Sequence, residues 1–477
     1  MTQENRPVFW TFNLVLIVVL TLSGCVRNEP WRTGEFGESE TKATNVVVYT
    51  PENGPDQCEP KDACAKALVE VFQDADGRDL FEINYIEFTE RGNVFDTART
   101  DFVRSRINKY SSNGNGVITI VFIHGWKNNA STHNENVQAF RNRLALFAQE
   151  SPLIGQRRVV GVYIGWRGAS VTFPVIKELT FWDRKAVAQK IGKGGVTDVL
   201  LDLEAYDAAN PYNVLVVIGH SFGGAILLSA YSELILDRVK TLANNRVSTG
   251  KTPLADALVL INPAIEANEM LRVKEAIITH QGSWDDATPN LMRVLSSKAD
   301  KATHRLFPLG QWLGTALTWN QDQLFRAYHQ VEDDPDSAKY LHESTLDRTT
   351  VGNFLPFHTQ EMLPTDDTSV PWELKDLCQT DSRQLKGRSH RAAPTFPCSN
   401  TDPVQFVYTP KEFMRGHSDI FNDEVSAYII SSIDSALREV DVEMGSRPRE
   451  AKADSFEQEF RKAYEVIKGA DVELYKQ

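Results

Sequence analysis

The stretch Asn213-Val-Leu-Val-Val-Ile-Gly-His-Ser-Phe-Gly-Gly-Ala-Ile-Leu-Leu228 decides how the chain is read. A β-branched run from Val214 to Ile218 stops at Gly219, and small and aliphatic residues suited to a helix follow Gly224. Ser221 stands in Gly219-His220-Ser221-Phe222-Gly223, the G-x-S-x-G pattern of a nucleophile elbow. Glycines two before and two after the serine suit a strand-to-helix turn too tight for Cβ atoms, and such a turn pushes the Ser221 hydroxyl clear of the sheet. The Phe222 N–H then points where an oxyanion would form. So short a pattern also occurs by chance in glycine-rich turns. The buried strand before it and the helix after it are what favour the nucleophile here.

Working outward, strands are expected at 45–50, 81–88, 117–123, 159–166, 214–218, 257–263, 290–297 and 404–408. Helical stretches lie between them: 96–110, 134–150, from about 183, 196–208, the segment after the elbow, and 423–440. This alternation implies an α/β fold with a mostly parallel central sheet flanked by helices. Ligands should bind at the carboxyl ends of its strands. Residues 81–88 alternate with period two and suggest a half-exposed antiparallel edge. Two loops imitate ligand sites. Asp74–Asp79 has its glycine at the wrong offset for calcium and Tyr85 where a Glu is needed, so it reads as a solvated turn. Gly192-Lys193-Gly194-Gly195 lacks the spacing of a phosphate loop and reads as a flexible turn between helices. No metal and no cofactor is expected.

A serine hydroxyl is a poor nucleophile at neutral pH and needs a base within hydrogen-bond reach and an acid to orient that base. In sheets carrying such an elbow, acid and histidine follow the serine in that order, on loops at strand ends. Asp300, after the strand 290–297, and His417, after the strand 404–408, meet this condition. His358 is the alternative base and Glu266 the alternative acid. Asp419 reads as a helix cap. The strand 117–123 runs into His124-Gly125-Trp126, a place that supplies the second oxyanion N–H, here from Trp126. His124 precedes the serine and reads as structural.

Phe122-Ile-His-Gly-Trp126, Gly219-His-Ser-Phe-Gly-Gly224, Ser297-Lys-Ala-Asp-Lys-Ala-Thr303 with Phe307-Pro-Leu-Gly310, and Gly416-His-Ser-Asp-Ile420 together resemble a largely uncharacterised family of serine-esterase-like α/β-hydrolases from bacteria and fungi. The resemblance spans roughly residues 117–430. It implies the α/β-hydrolase fold and a triad of Ser221, Asp300 and His417. Residues 303–403 break the strand–helix alternation with apolar islands at 307–314 and 349–358, and are expected to form an insertion acting as a lid.

The N-terminus carries an apolar run from Val8 to Leu22, too short for the ~20 residues of a bilayer-spanning helix. It ends in Leu22-Ser23-Gly24-Cys25, which resembles the lipobox of bacterial lipoproteins. Residues 1–24 are therefore expected to be a signal peptide, with an uncleaved anchor helix as the alternative. Cys25 is then the lipidated residue, and 25–43 a tether. Val26 rather than Asp at the next position implies the outer membrane, facing the periplasm. The domain is expected over 44–440, with a charged helical tail over 441–477.

Cys58, Cys64, Cys378 and Cys398 then form an even set in an oxidising compartment, for which three connectivities exist. Local pairs, Cys58–Cys64 and Cys378–Cys398, are expected, with free thiols as the alternative. The latter pair would close residues 379–397, a polar stretch unable to order itself. A formal charge of −13 argues against nucleic acid and for neutral or cationic small substrates.

The combined expectation is a serine hydrolase acting on a hydrophobic or small carboxylic ester. A catalytically inactive envelope interaction protein on the same scaffold is the alternative from another class.

Overall fold

A computed structural model describes residues 29–34, 45–112, 114–150, 154–168, 181–244, 254–285, 288–308, 311, 343–365, 371–378, 398–443 and 456–469. The expected signal peptide (1–24), Cys25 and residues 35–44 lie outside the described residues. Among the described residues, no helix is long and apolar enough to cross a membrane.

The described strands are β1 (Val46–Tyr49), β2 (Val69–Gln73), β3 (Asp79–Phe88), β4 (Val117–Ile123), β5 (Arg158–Trp166), β6 (Val214–His220), β7 (Ala257–Ile261), β8 (Met292–Ser297), β9 (Gln360–Pro364), β10 (Trp372–Asp376) and β11 (Val404–Thr409). They form one mixed sheet in the order β1-β2-β3-β5-β4-β6-β7-β8-β11-β9-β10. From β3 to β9 in that order all pairings are parallel, while β2 and β10 run antiparallel to their inner neighbours. The α/β class and the mostly parallel sheet agree with the strand–helix alternation of the sequence.

Helices cover both faces: α1 (Lys61–Lys66), α2 (Thr97–Ser111), α3 (Glu135–Glu150), α4 (Phe181–Ile191), α5 (Thr197–Ala208), α6 (Phe222–Asn244), α7 (Asn268–Thr279), α8 (Glu343–Arg348), α9 (Asp423–Glu443) and α10 (Phe456–Gly469). The central strands read as unbroken apolar runs because each face has its own core. Along β6, Leu215 and Val217 join the core under α4, α5, α6 and α7, while Val214, Val216 and Ile218 join the core under α3, α9 and α10. Full burial of each such side chain contributes roughly 1.5–3 kcal/mol.

Several expectations are corrected. β3 is an interior strand, paired with β2 on one side and β5 on the other, rather than an edge. Its polar residues Glu82 and Asn84 are buried and compensated: Glu82 accepts from Arg106 Nε at 3.0 Å and from an Arg158 terminal nitrogen at 2.9 Å, and Asn84 Nδ2 donates to Glu82 at 3.0 Å. The apolar island at 349–358 is core, with Val351 and Phe357 fully buried and the Phe357 ring 5.4 Å from that of Phe406. β9 and β10, also within the expected insertion, extend the sheet beyond β11. Gly192–Val196 is a π-helical turn linking α4 to α5 and pinned by Gly195 N donating to Gly92 O at 2.7 Å, so it is no flexible linker. α10 packs on α9 through buried Phe460, Tyr464 and Ile467 and belongs to the second core, although it falls in the expected tail.

Part of the expected tether is fixed as well. Arg32 is 1 % exposed and donates through Nε to Ala130 O at 2.8 Å and through a terminal nitrogen to Glu70 at 3.0 Å. Its guanidinium lies 3.6 Å from the Tyr85 ring centroid, and Arg141 reaches the same Glu70 carboxylate from α3. Burial alone would push Glu70 up, but the two guanidiniums outweigh it and hold the carboxyl at about 2.

Candidate active site

Ser221 occupies the single position between β6 and α6. Its φ is 57°, a left-handed conformation that non-glycine residues rarely adopt. The glycines around it are required by contact. A Cβ on Gly223 would lie 2.0 Å from Ile123 O, and one on Gly125 would lie 2.7 Å from Ser221 Cβ. The elbow is therefore wedged against the end of β4, and Ser221 N donates to Ile261 O of β7 at 3.0 Å.

His417 lies on the loop after β11, and its imidazole bridges two groups. Nε2 is 2.7 Å from Ser221 Oγ, and Nδ1 is 2.7 Å from Asp300 Oδ2. Asp300, on the turn after β8, is fully buried and receives three further donors. Oδ1 accepts from Ala302 N at 2.8 Å and Thr303 N at 3.1 Å, and Oδ2 accepts from Thr303 Oγ1 at 2.6 Å. Burial would push its carboxyl up, but the hydrogen bonds from His417 and Thr303 hold it below the usual carboxylate range. The carboxylate is thus anionic at neutral pH, Nδ1 carries the imidazole proton, and Nε2 accepts from the serine hydroxyl.

The loop after β4 lies against this array. His124 is buried, with Nδ1 donating to Gly125 O at 2.9 Å and Nε2 accepting from Trp166 N at 3.1 Å. Burial pushes its imidazole down to about 4, so it is neutral, in keeping with a structural role. Because a trans peptide directs C=O and N–H oppositely, the hold on Gly125 O fixes the direction of the Trp126 N–H. Phe222 is the first residue of α6, so its amide stands at a helix N-terminus, the end that favours negative charge.

Ser221, Asp300 and His417 are brought together; the alternatives are not. Glu266 accepts from Lys185 and Gln311. His358 bonds Gly352 O at 2.9 Å through Nε2, lies against Tyr408 and is pushed down by burial to about 4. Asp419 is not the helix cap. Asn422 Oδ1 accepts from Val425 N at 2.8 Å, whereas Asp419 Oδ2 accepts from Arg415 N at 2.8 Å and closes the loop bearing His417. Both expected disulfides are present, Cys58–Cys64 and Cys378–Cys398, with Cα separations of 6.2 and 5.1 Å.

Sequence reasoning missed the roles of His220 and Asn262. His220 Nε2 donates to the backbone carbonyl of His417 at 2.8 Å, and Asn262 Nδ2 donates to the same oxygen at 3.1 Å. Asn262 was visible only as a residue near the end of the expected strand 257–263.

Comparison with known proteins gave no matching family model, no matching curated protein and no matching solved structure.

Proposed function

We propose that the protein is a serine hydrolase of the α/β-hydrolase kind that cleaves a carboxylic ester through an acyl-enzyme. The continuous chain from Ser221 Oγ through His417 to Asp300, with both links at 2.7 Å and the serine on a left-handed elbow, carries this reading. The placement of serine, acid and base after β6, β8 and β11, with an oxyanion loop after β4, supports the fold assignment.

The chemistry follows from the donors and acceptors. Ser221 Oγ attacks the ester carbonyl carbon while His417 Nε2 takes the hydroxyl proton. Asp300 stabilises the imidazolium so formed, and the Trp126 and Phe222 N–H groups receive the oxyanion. Collapse breaks the bond to the leaving alkoxide, to which His417 returns the proton. A water activated by the same base then hydrolyses the acyl-serine.

The substrate in this reading is a hydrophobic or small ester. Lipidation at Cys25 and a place on the periplasmic side of the outer membrane complete it, supported by the lipobox-like sequence and by disulfides that suit an oxidising compartment. The described part of the insertion builds core and sheet edge, so no lid function is proposed for it.

A fluorophosphonate probe tests the assignment. Wild-type protein should be labelled and Ser221→Ala should not. Equal labelling of both, or none of the wild type, refutes it.

A further inference from the structure

A triad base must meet two partners at once, and His417 does so from a loop rather than from a helix or strand. What fixes that loop is a set of donors aimed at its main chain. The carbonyl oxygen of His417 accepts from His220 Nε2 at 2.8 Å and from Asn262 Nδ2 at 3.1 Å. Asn262 Nδ2 also lies 3.4 Å from Gly416 O and 3.0 Å from Met414 Sδ, and Asn262 Oδ1 accepts from Ser297 N at 2.9 Å. Ser297 Oγ in turn donates to Met414 O at 2.5 Å. His220 and Asn262 are 2 % and 1 % exposed, so water does not compete for these donors.

Two features separate this array from ordinary core hydrogen bonding. Asn262 has φ 45° although it precedes a proline, a left-handed backbone held against two steric preferences at once. Strain of that kind persists where the surroundings over-determine it, commonly beside reacting groups. The second feature is the choice of histidine next to the nucleophile. A carbonyl can only accept, so His220 carries its proton on Nε2. Burial, followed by the neighbouring His417, pushes the ring down to about 3 and keeps it neutral. With the rings 5.0 Å apart, a charged His220 would oppose the imidazolium that His417 must become; a neutral one donates without that cost.

We infer that His220 and Asn262 are positioning residues that hold His417 by its own backbone carbonyl, so that its imidazole spans Ser221 and Asp300. This rests on the hydrolase reading and deepens it. Neither residue touches the reacting atoms. Both act by keeping the base within the few tenths of an ångström that proton transfer tolerates, and a displacement of 1 Å at such a group can cost about 10²-fold in rate.

Three variants test it. Asn262→Asp keeps the shape and the acceptor facing Ser297 N but removes the donors. His220→Phe removes the other donor, and His220→Gln offers an amide N–H to the same carbonyl. Asn262→Asp and His220→Phe should lose about 10- to 100-fold in kcat on a short-chain aryl ester with KM within about twofold of wild type, and His220→Gln should regain about tenfold over His220→Phe. A second readout needs no turnover: the downfield proton expected of His417 Nδ1 in the wild-type NMR spectrum should broaden or shift in Asn262→Asp. An unchanged kcat in folded Asn262→Asp, or an unmoved imidazole proton, overturns the proposal. If wild type itself turns over no ester, the hydrolase reading fails, and the imidazole proton still decides whether the two donors set the ring.

Discussion

Replacing Asp300 by Asn tests the site most sharply, because four donors converge on that carboxylate. Two are backbone amides, Ala302 N at 2.8 Å and Thr303 N at 3.1 Å, on Oδ1; the others, Thr303 Oγ1 at 2.6 Å and His417 Nδ1 at 2.7 Å, share Oδ2. An asparagine has one acceptor oxygen, and the fixed backbone amides will claim it. Its NH2 group must then face Thr303 and His417. The threonine hydroxyl can rotate to accept, but His417 can accept at Nδ1 only by moving its proton to Nε2, where an N–H then confronts Ser221 Oγ. The serine would meet a donor in place of a base. Loss of the correct tautomer costs about 10⁴ in kcat in a comparable triad, about 5 kcal/mol of transition-state stabilisation. Stability should change little, since each donor keeps a partner or finds one. Steady-state hydrolysis of an aryl ester with parallel thermal unfolding is the assay, and Glu266→Gln is the control. With Glu266 held by Lys185 and Gln311, that control should lose less than about tenfold. A folded Asp300→Asn within tenfold of wild type, or a larger loss in Glu266→Gln, would refute the assignment of the acid.

Gly125→Ala would place a Cβ 2.7 Å from Ser221 Cβ and 2.9 Å from His220 O, so the elbow or the loop after β4 must shift; kcat should fall about 10²-fold, with a stability cost of about 1–3 kcal/mol measured by urea titration. The Glu70 carboxyl is depressed to about 2 from an ordinary 4.5, so its stabilisation is complete above the unfolded value and disappears as pH falls from 4.5 towards 2. Unfolding measured across that window should show a loss of about 3 kcal/mol that is absent from Glu70→Gln; identical acid limbs in the two proteins would contradict it. Replacing Cys378 and Cys398 by Ser should lower stability by about 3 kcal/mol through the freed chain while fluorophosphonate labelling of Ser221 persists. Loss of labelling at a temperature where the variant is folded would tie the bridge to the site.

The parts of the fold legible in sequence are those in which one local signal suffices. β4 and β6 are continuous β-branched runs because both faces are covered, and they fall where the sequence places them. Tertiary compensation defeats the same reasoning elsewhere. Glu82 and Asn84 gave β3 the period of an exposed edge, yet both are buried, and Arg106 from α2 and Arg158 from β5 make that possible. Arg32, polar and near the N-terminus, reads as tether until Glu70 and Tyr85 are brought to it from strands far along the chain. β2, only five residues long and half polar, offers too short a pattern to register.

The candidate triad was legible because its chemistry restricts residue type and chain order, whereas the residues that hold it are explained only by the order of strands in the sheet. Ser221 leaves β6, Asn262 leaves β7, Asp300 follows β8 and His417 follows β11, and these four strands lie side by side in that sequence. At about 4.8 Å per strand, His417 enters roughly 14 Å from the strand that carries Ser221. Its loop must therefore reach back across the ends of β8 and β7. Each end it crosses grips it: Asp300 and Ser297 from β8, Asn262 from β7 and finally His220 from β6. A loop crossing open sheet ends without such contacts would sample many conformations, and only a fraction would place Nε2 against Ser221 Oγ. Asn262, with its left-handed backbone, stands where this topology needs a donor: β7 lies between the strands that lead to Ser221 and Asp300, and the Asn262 side chain at its end meets the His417 carbonyl that crosses it.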